Sequence, residues 1–215
     1  MKRAGTNTGL RASRLATAVL ALGCALPASA ETITVTHWGA AFYGAPYAVA
    51  MEKGFFKQRG VDITGVLTST GGGTSVRNTL AADLPFGEVA LSAAVEAFQA
   101  GQPIKIVCAG VDSMADLVWV AKPDSPMNSI KDIVGKKIGY TSPGSVSNML
   151  IVMAMRAQGI DSSQVSMVPI GGFGANLAAV LNGTIDAGII AEPLFSQAKS
   201  KIKPVFWAND VLRAS

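Results

Sequence analysis

A chain of 215 residues that is 49% hydrophobic, 15% charged and 7% aromatic has the length and apolar content for one or two compact α/β domains. Disordered, collagen-like and coiled-coil proteins are excluded. The formal charge of +4 arises from Lys2, Arg3, Arg11 and Arg14, in a 30-residue opening without Asp or Glu; taking these four from 18 basic residues leaves 14, matched by 14 acidic ones. The basic balance belongs to that opening and gives no support for a nucleic-acid partner.

The opening has the parts of an export signal: a basic start, an apolar stretch over residues 15–26, then Pro27 and Ala28-Ser29-Ala30 ahead of Glu31. Cleavage is expected after Ala30, making residues 1–30 a signal peptide and the mature chain periplasmic. An apolar run of about a dozen residues is too short to span a bilayer as a helix. A lipoprotein anchored at Cys24 is the competing reading, because Gly23-Cys24 closes the apolar run; Ala21, where a larger aliphatic residue is usual, counts against it.

Beyond the leader, strand-like and helix-like periods alternate, the pattern of an α/β fold with a largely parallel sheet. Ile33-Thr34-Val35-Thr36 is a β-branched run, residues 46–56 read as a helix closed by Gly60, and residues 61–67 read as a second strand. The turn Thr70-Gly71-Gly72-Gly73-Thr74 leads into a helix over 75–82. A strand at 89–91, a helix at 93–100 and a strand at 104–109 follow, the last holding Cys108 as a small buried core residue.

A second unit starts after Asp112. It reads as a strand at 116–121, a turn at Lys122-Pro123-Asp124-Ser125-Pro126, a short helix at 129–134 capped by Ser129, and a strand at 137–140. Thr141-Ser142-Pro143-Gly144-Ser145 then precedes a helix at 146–158. A strand at 165–170, the turn Gly171-Gly172-Phe173-Gly174, a helix at 176–182 and a strand at 187–191 complete it. Strand, small-residue turn and helix recur, and in open α/β sheets such turns lie at the ligand-binding ends of the strands.

A helix start offers free backbone N–H groups and the positive end of a dipole, so it can hold an anionic or carbonyl group without Lys or Arg. The turn 71–75, Ser92-Ala93 and the turn 141–147 have this form, with hydroxyls from Thr74, Ser92, Thr141, Ser145 and Ser147. None is a nucleotide loop: the glycine run at 71–73 lacks a P-loop lysine, and the turn at 171–174 lacks dinucleotide spacing. One His and one mature Cys do not make a structural zinc site. A catalytic triad would have to use His37, and no G-x-S-x-G element accompanies it. His37-Trp38, followed by Phe42, Tyr43 and Tyr47, reads either as an aromatic wall for an organic ligand, with His37 or Tyr43 as polar contact, or as a satisfied strand-end histidine beside core aromatics.

The run Pro46-Tyr47-Ala48-Val49-Ala50-Met51-Glu52-Lys53-Gly54-Phe55-Phe56, followed by Gly60-Val61-Asp62-Ile63, resembles the opening of periplasmic solute-binding proteins of the nitrate, sulfonate and taurine ABC-importer type (NMT1/THI5-like), a family that includes pyrimidine-precursor binders. Asp124-Ser125-Pro126, Ile130-Lys131-Asp132-Ile133-Val134-Gly135-Lys136-Lys137-Ile138-Gly139, Ser142-Pro143-Gly144-Ser145 and Ala191-Glu192-Pro193 carry the resemblance through the second half. It implies a type II periplasmic-binding-protein fold, with lobe 1 over 31–111, lobe 2 over 112–203 and the start of a return crossing to lobe 1 over 204–215. Family members continue further, so the first lobe is expected to be incomplete on its C-terminal side.

By position, the resemblance implies ligand contacts from Trp38, Tyr43, Gly72, Gly73, Thr74 and Ser92 in the first lobe, from Asp112 and Ser113 at the crossing, and from Thr141, Ser145 and Glu192 in the second. It also implies a monomer that delivers a small organic solute, sulfonate, pyrimidine-like or related, to an ABC permease, with no cofactor, metal or catalytic cycle. The carboxylates of Asp112 and Glu192 favour a neutral or amine-bearing ligand with one acidic or carbonyl end over a bare anion. The alternatives are a small enzyme on the same fold and a ligand sensor or accessory subunit.

Overall fold

Residues 31–213 are described by the structure, a computed structural model. The leader, its cleavage site and the Cys24 alternative lie outside these residues. Two sheets organise the chain. The first holds β1 (Glu31–Thr36), β2 (Ile63–Ser69) and β3 (Gly87–Glu88) in the order β2-β1-β3, all parallel. The second holds β4 (Leu117–Ala121), β5 (Lys137–Tyr140), β6 (Ser166–Pro169), β7 (Ala187–Ala191) and β8 (Lys203–Trp207) in the order β6-β5-β7-β4-β8. β6, β5 and β7 run parallel, and β4 pairs antiparallel with both β7 and β8.

The first sheet carries α1 (Ala45–Glu52) and α2 (Phe55–Gln58) between β1 and β2, α3 (Gly72–Ala81) between β2 and β3, and α4 (Leu91–Gln99) after β3. The single helix expected over 46–56 is broken because Gly54 takes φ 68°, a left-handed conformation that ends α1 and lets Phe56 turn onto the small core of Ile33, Val35 and Ile63. The second sheet carries α5 (Val146–Ala157), α6 (Phe173–Leu181), α7 (Leu194–Ala198) and α8 (Ala208–Arg213). α6 lies close on its strands where Gly139 of β5 and Gly188 of β7 lack side chains: a Cβ at either would press on Asn176 and Ile185.

The two lobes are unequal in packing. β4 and β7 are buried at every position, and their cluster includes Trp119, Ile133, Ile138, Ile151, Ile189 and Ile190, all fully buried. Each such aliphatic side chain contributes about 1.5–3 kcal/mol on burial, so the second lobe holds most of the stability. The first lobe buries only three hydrophobic side chains in its own cluster and leaves Phe55, Phe86 and Phe98 exposed.

Three further expectations are corrected. Residues 104–109 form no strand in either sheet, and Cys108 is exposed, with Val107 beside it; the run has β-branched character, but no described strand lies alongside to pair with it. Residues 204–207 do not begin a crossing to the first lobe: they lie in β8, on the outer side of β4. Phe173 and Gly174 belong to the first turn of α6 rather than to the preceding turn.

Candidate functional site

The strand-to-helix turns of the two sheets meet face to face. Gly71, ahead of α3, lies so close to Ser142 that a Cβ there would run into the Ser142 hydroxyl and press on Thr141. Ser92, in the first turn of α4, donates its hydroxyl proton to the Gly144 carbonyl at 3.0 Å. Gly144, at φ 72°, sits against the Glu96 carboxylate, and Gly172 lies beside Thr70. The turns expected from their small residues to face a ligand thus form the seam between lobes.

Within each lobe the seam hydroxyls are largely committed to one another. In the first, Ser75 Oγ bonds Thr36 Oγ1 at 2.6 Å, pairs with Ser69 Oγ and donates to the Gly71 carbonyl. In the second, Ser147 Oγ accepts the Thr141 N–H at 3.0 Å and bonds Thr141 Oγ1 and Ser145 Oγ, while Ser145 caps α5 by accepting from the Asn148 N–H. These bonds fix the turns as rigid platforms. Ser142 Oγ differs: it is buried at the seam without a hydrogen-bond partner.

The segment after β1 is the second tie. His37 stands at φ 54°, a left-handed conformation uncommon for a side chain of its size, and its ring stacks on Phe173 of the other lobe at a centroid distance of 4.1 Å. Burial lowers its pKa to about 4, so the imidazole is neutral. Ala41 and Tyr43 insert into the second lobe's core, and the Tyr43 hydroxyl donates to Asp116 Oδ2 at 3.1 Å. Burial raises the pKa of Tyr43, and the Asp116 carboxylate raises it further. Burial also raises Asp116, against the lowering effect of the Tyr43 hydrogen bond and with the added repulsion of Glu192. Glu88 is raised by burial too, although its carboxylate accepts the Thr36 N–H at 3.0 Å.

The other candidate residues are distributed unevenly. Trp38, half-buried, packs on the first lobe's core and over Gly44. Gly72 closes against Ala90 and Ala93 of the α3–α4 contact, Gly73 faces the Pro143 carbonyl, and Thr74 accepts from Arg77. Asp112 is exposed on the crossing segment. Ser113 lines a cavity of about 290 Å³ with Tyr43, and Glu192 accepts the N–H and hydroxyl of Ser196. Asp116 and Phe173 were missed from the sequence because each contributes through a contact some 70 or more residues distant along the chain. A larger cavity of about 340 Å³, between Ser129, β8 and α8, contains none of the candidate residues. Among the described residues, no group of three His, Cys, Asp or Glu side chains could hold a metal ion, and no helix is long and apolar enough to cross a membrane.

A wedge at the seam tests this geometry. Gly71→Val is expected to lower stability by about 1–3 kcal/mol through overpacking against Ser142, and to expand the protein in solution scattering as the lobes separate. An unchanged melting temperature and radius of gyration would show that the seam does not hold the lobes.

The NMT1/THI5-like family model matches residues 41–206, more than three quarters of the chain. The chain belongs to this family. No curated protein shows significant sequence similarity to this NMT1/THI5-like chain. Its fold is that of the periplasmic aliphatic sulphonate binding protein SsuA from Escherichia coli (18% identity, TM-score 0.62, covering 84% of this chain and 61% of that one). It is also similar to the alkanesulfonate-binding protein SsuA from Xanthomonas axonopodis pv. citri bound to MOPS (17%, TM-score 0.71, 85% and 61%). The periplasmic nitrate-binding protein NrtA from Synechocystis PCC 6803 is a third likeness (15%, TM-score 0.66, 85% and 52%). The NMT1/THI5-like chain therefore has the type II periplasmic-binding-protein architecture and spans about three fifths or less of the length of these structures.

Proposed function

We propose that this chain is the substrate-binding component of an ABC importer, exported by cleavage after Ala30, working as a monomer in the periplasm. It captures a small organic solute, sulfonate, pyrimidine-like or related, between its lobes and presents the closed form to a membrane permease. The observation that carries this reading is the seam: rigid strand-to-helix turns from two lobes face each other, and separating them would free helix-start N–H groups and the Ser142 hydroxyl for a solute. Solute contacts made in both lobes favour the closed state only by the difference in affinity between closed and open forms, which is the physical basis of delivery by closure. The role is binding without a catalytic cycle.

The test is a thermal-shift screen of the purified protein against alkanesulfonates, taurine, nitrate, pyrimidines and small organic amines. A solute at one hundred times its dissociation constant is expected to add about 2.7 kcal/mol to folded stability. It should also reduce the radius of gyration. A cooperative melt that no compound shifts would overturn the reading.

A further inference from the structure

Resting on the solute-binding reading above, we propose that the cavity beside Tyr43 seats the solute's charged end and that this end is a protonated amine carried on a small apolar or aromatic body. The cavity lies where the segment after β1 meets the crossing into β4, with about 290 Å³ between Phe42, Tyr43 and Pro46 on one side and Val111, Ser113 and Asp116 on the other. That volume is at the low end for small-molecule sites, and its wall is mostly apolar with a few convergent polar groups, the usual composition of such a site. The cavity is bounded by residues from both lobes, so an occupant bridges them as the Tyr43–Asp116 hydrogen bond already does.

The charge of the site selects the ligand. Asp116 is the charged group in the wall, and no Lys or Arg lines the cavity. Glu192 lies close enough to repel Asp116 electrostatically, and Glu88 acts in the same way on Tyr43. Among the described residues the one salt bridge, Lys57 with Asp62, involves none of these groups. A sulfonate or nitrate placed here would meet the Asp116 carboxylate with no countercharge in the wall. An ammonium would donate to Asp116, whose carboxylate also accepts from the Tyr43 hydroxyl, and lie against the faces of Phe42 and Tyr43, which attract cations. Ser113 offers a hydroxyl that can accept one ammonium proton.

The experiment uses three compounds of matched size on the purified protein: benzylammonium, benzyl alcohol and benzenesulfonate, titrated by calorimetry against the wild type and Asp116→Asn. The amide keeps the shape and the acceptor for Tyr43 while removing the charge, and its melting curve checks folding. Benzylammonium is expected to bind the wild type at least tenfold more tightly than either of the others, and to lose at least tenfold in affinity with Asp116→Asn. Benzenesulfonate binding as tightly as benzylammonium, or benzylammonium affinity unchanged in the variant, would overturn the proposal. If an anionic solute binds, and does so equally in the variant, the amine inference fails while the importer reading stands. Failure of these compounds and of the whole solute panel to bind overturns both.

Discussion

Replacing Trp119 with alanine is expected to cost about 3–5 kcal/mol of folded stability, the largest effect of any single change in the second lobe. Trp119 is fully buried in β4, stacks on Phe206 of β8 at 4.9 Å and 12°, and sends its indole N–H past β7 to the Gly139 carbonyl of β5 at 3.1 Å. It therefore ties four neighbouring strands through one side chain. Alanine leaves both a cavity and a buried carbonyl without its donor, and the two losses add. For a domain of this size the melting temperature should fall by roughly 6–20 °C. Trp119→Phe, which keeps most of the ring but not the N–H, should cost about 1–2 kcal/mol by the lost hydrogen bond and small volume change. Denaturant unfolding of the three proteins checks the order, and a loss below about 1 kcal/mol for alanine would show that the sheet closes over the site.

Acid is expected to weaken the fold through His37, by on the order of 3 kcal/mol between pH 6.5 and pH 4. The imidazole has its pKa lowered from 6.5 to about 4 by burial. Below pH 6.5 the unfolded chain takes up a proton that the folded chain refuses until about pH 4, so stability falls as pH falls through that window. Glu88 and Asp116 act in the opposite sense: their pKa values are raised, so the folded state binds their protons first and acid favours it in their range. The contributions separate in the variant His37→Asn, since asparagine tolerates the left-handed backbone at this position. Unfolding at pH 7, 5.5 and 4.5 should show a steeper loss in the wild type than in the variant. Equal slopes would remove His37 as the acid-sensitive group. Because His37 stacks on Phe173 across the seam, the same acid step should loosen the junction between lobes.

Several elements were legible locally because their signal is local. β5 at 137–140 and β7 at 187–191 fall where the short apolar runs between glycine-containing turns place them, and α5 begins at its serine cap. The ends of other elements moved with packing. α3 starts three residues earlier than its periodicity indicates because Gly72 and Gly73 can lie in a helix pressed against Ala90, Ala93 and Pro143. Cys108 was misplaced because a β-branched run has strand character with or without a neighbour, whereas burial requires one.

The sequence by itself determined the α/β alternation, the glycine- and serine-rich turns at the strand ends, and the motifs that carry the family membership, all of which depend on residues close along the chain. Only the tertiary structure decided that those turns meet one another across a seam and that Thr141 and Ser145 spend their hydrogen bonds on Ser147. It also decided that Trp38 faces its own lobe while Tyr43 reaches Asp116, 73 residues away. The physical reason is that periodicity and turn chemistry are set by local sterics, while a hydroxyl's partner and a carboxylate's surroundings are set by whichever distant surface packs against them.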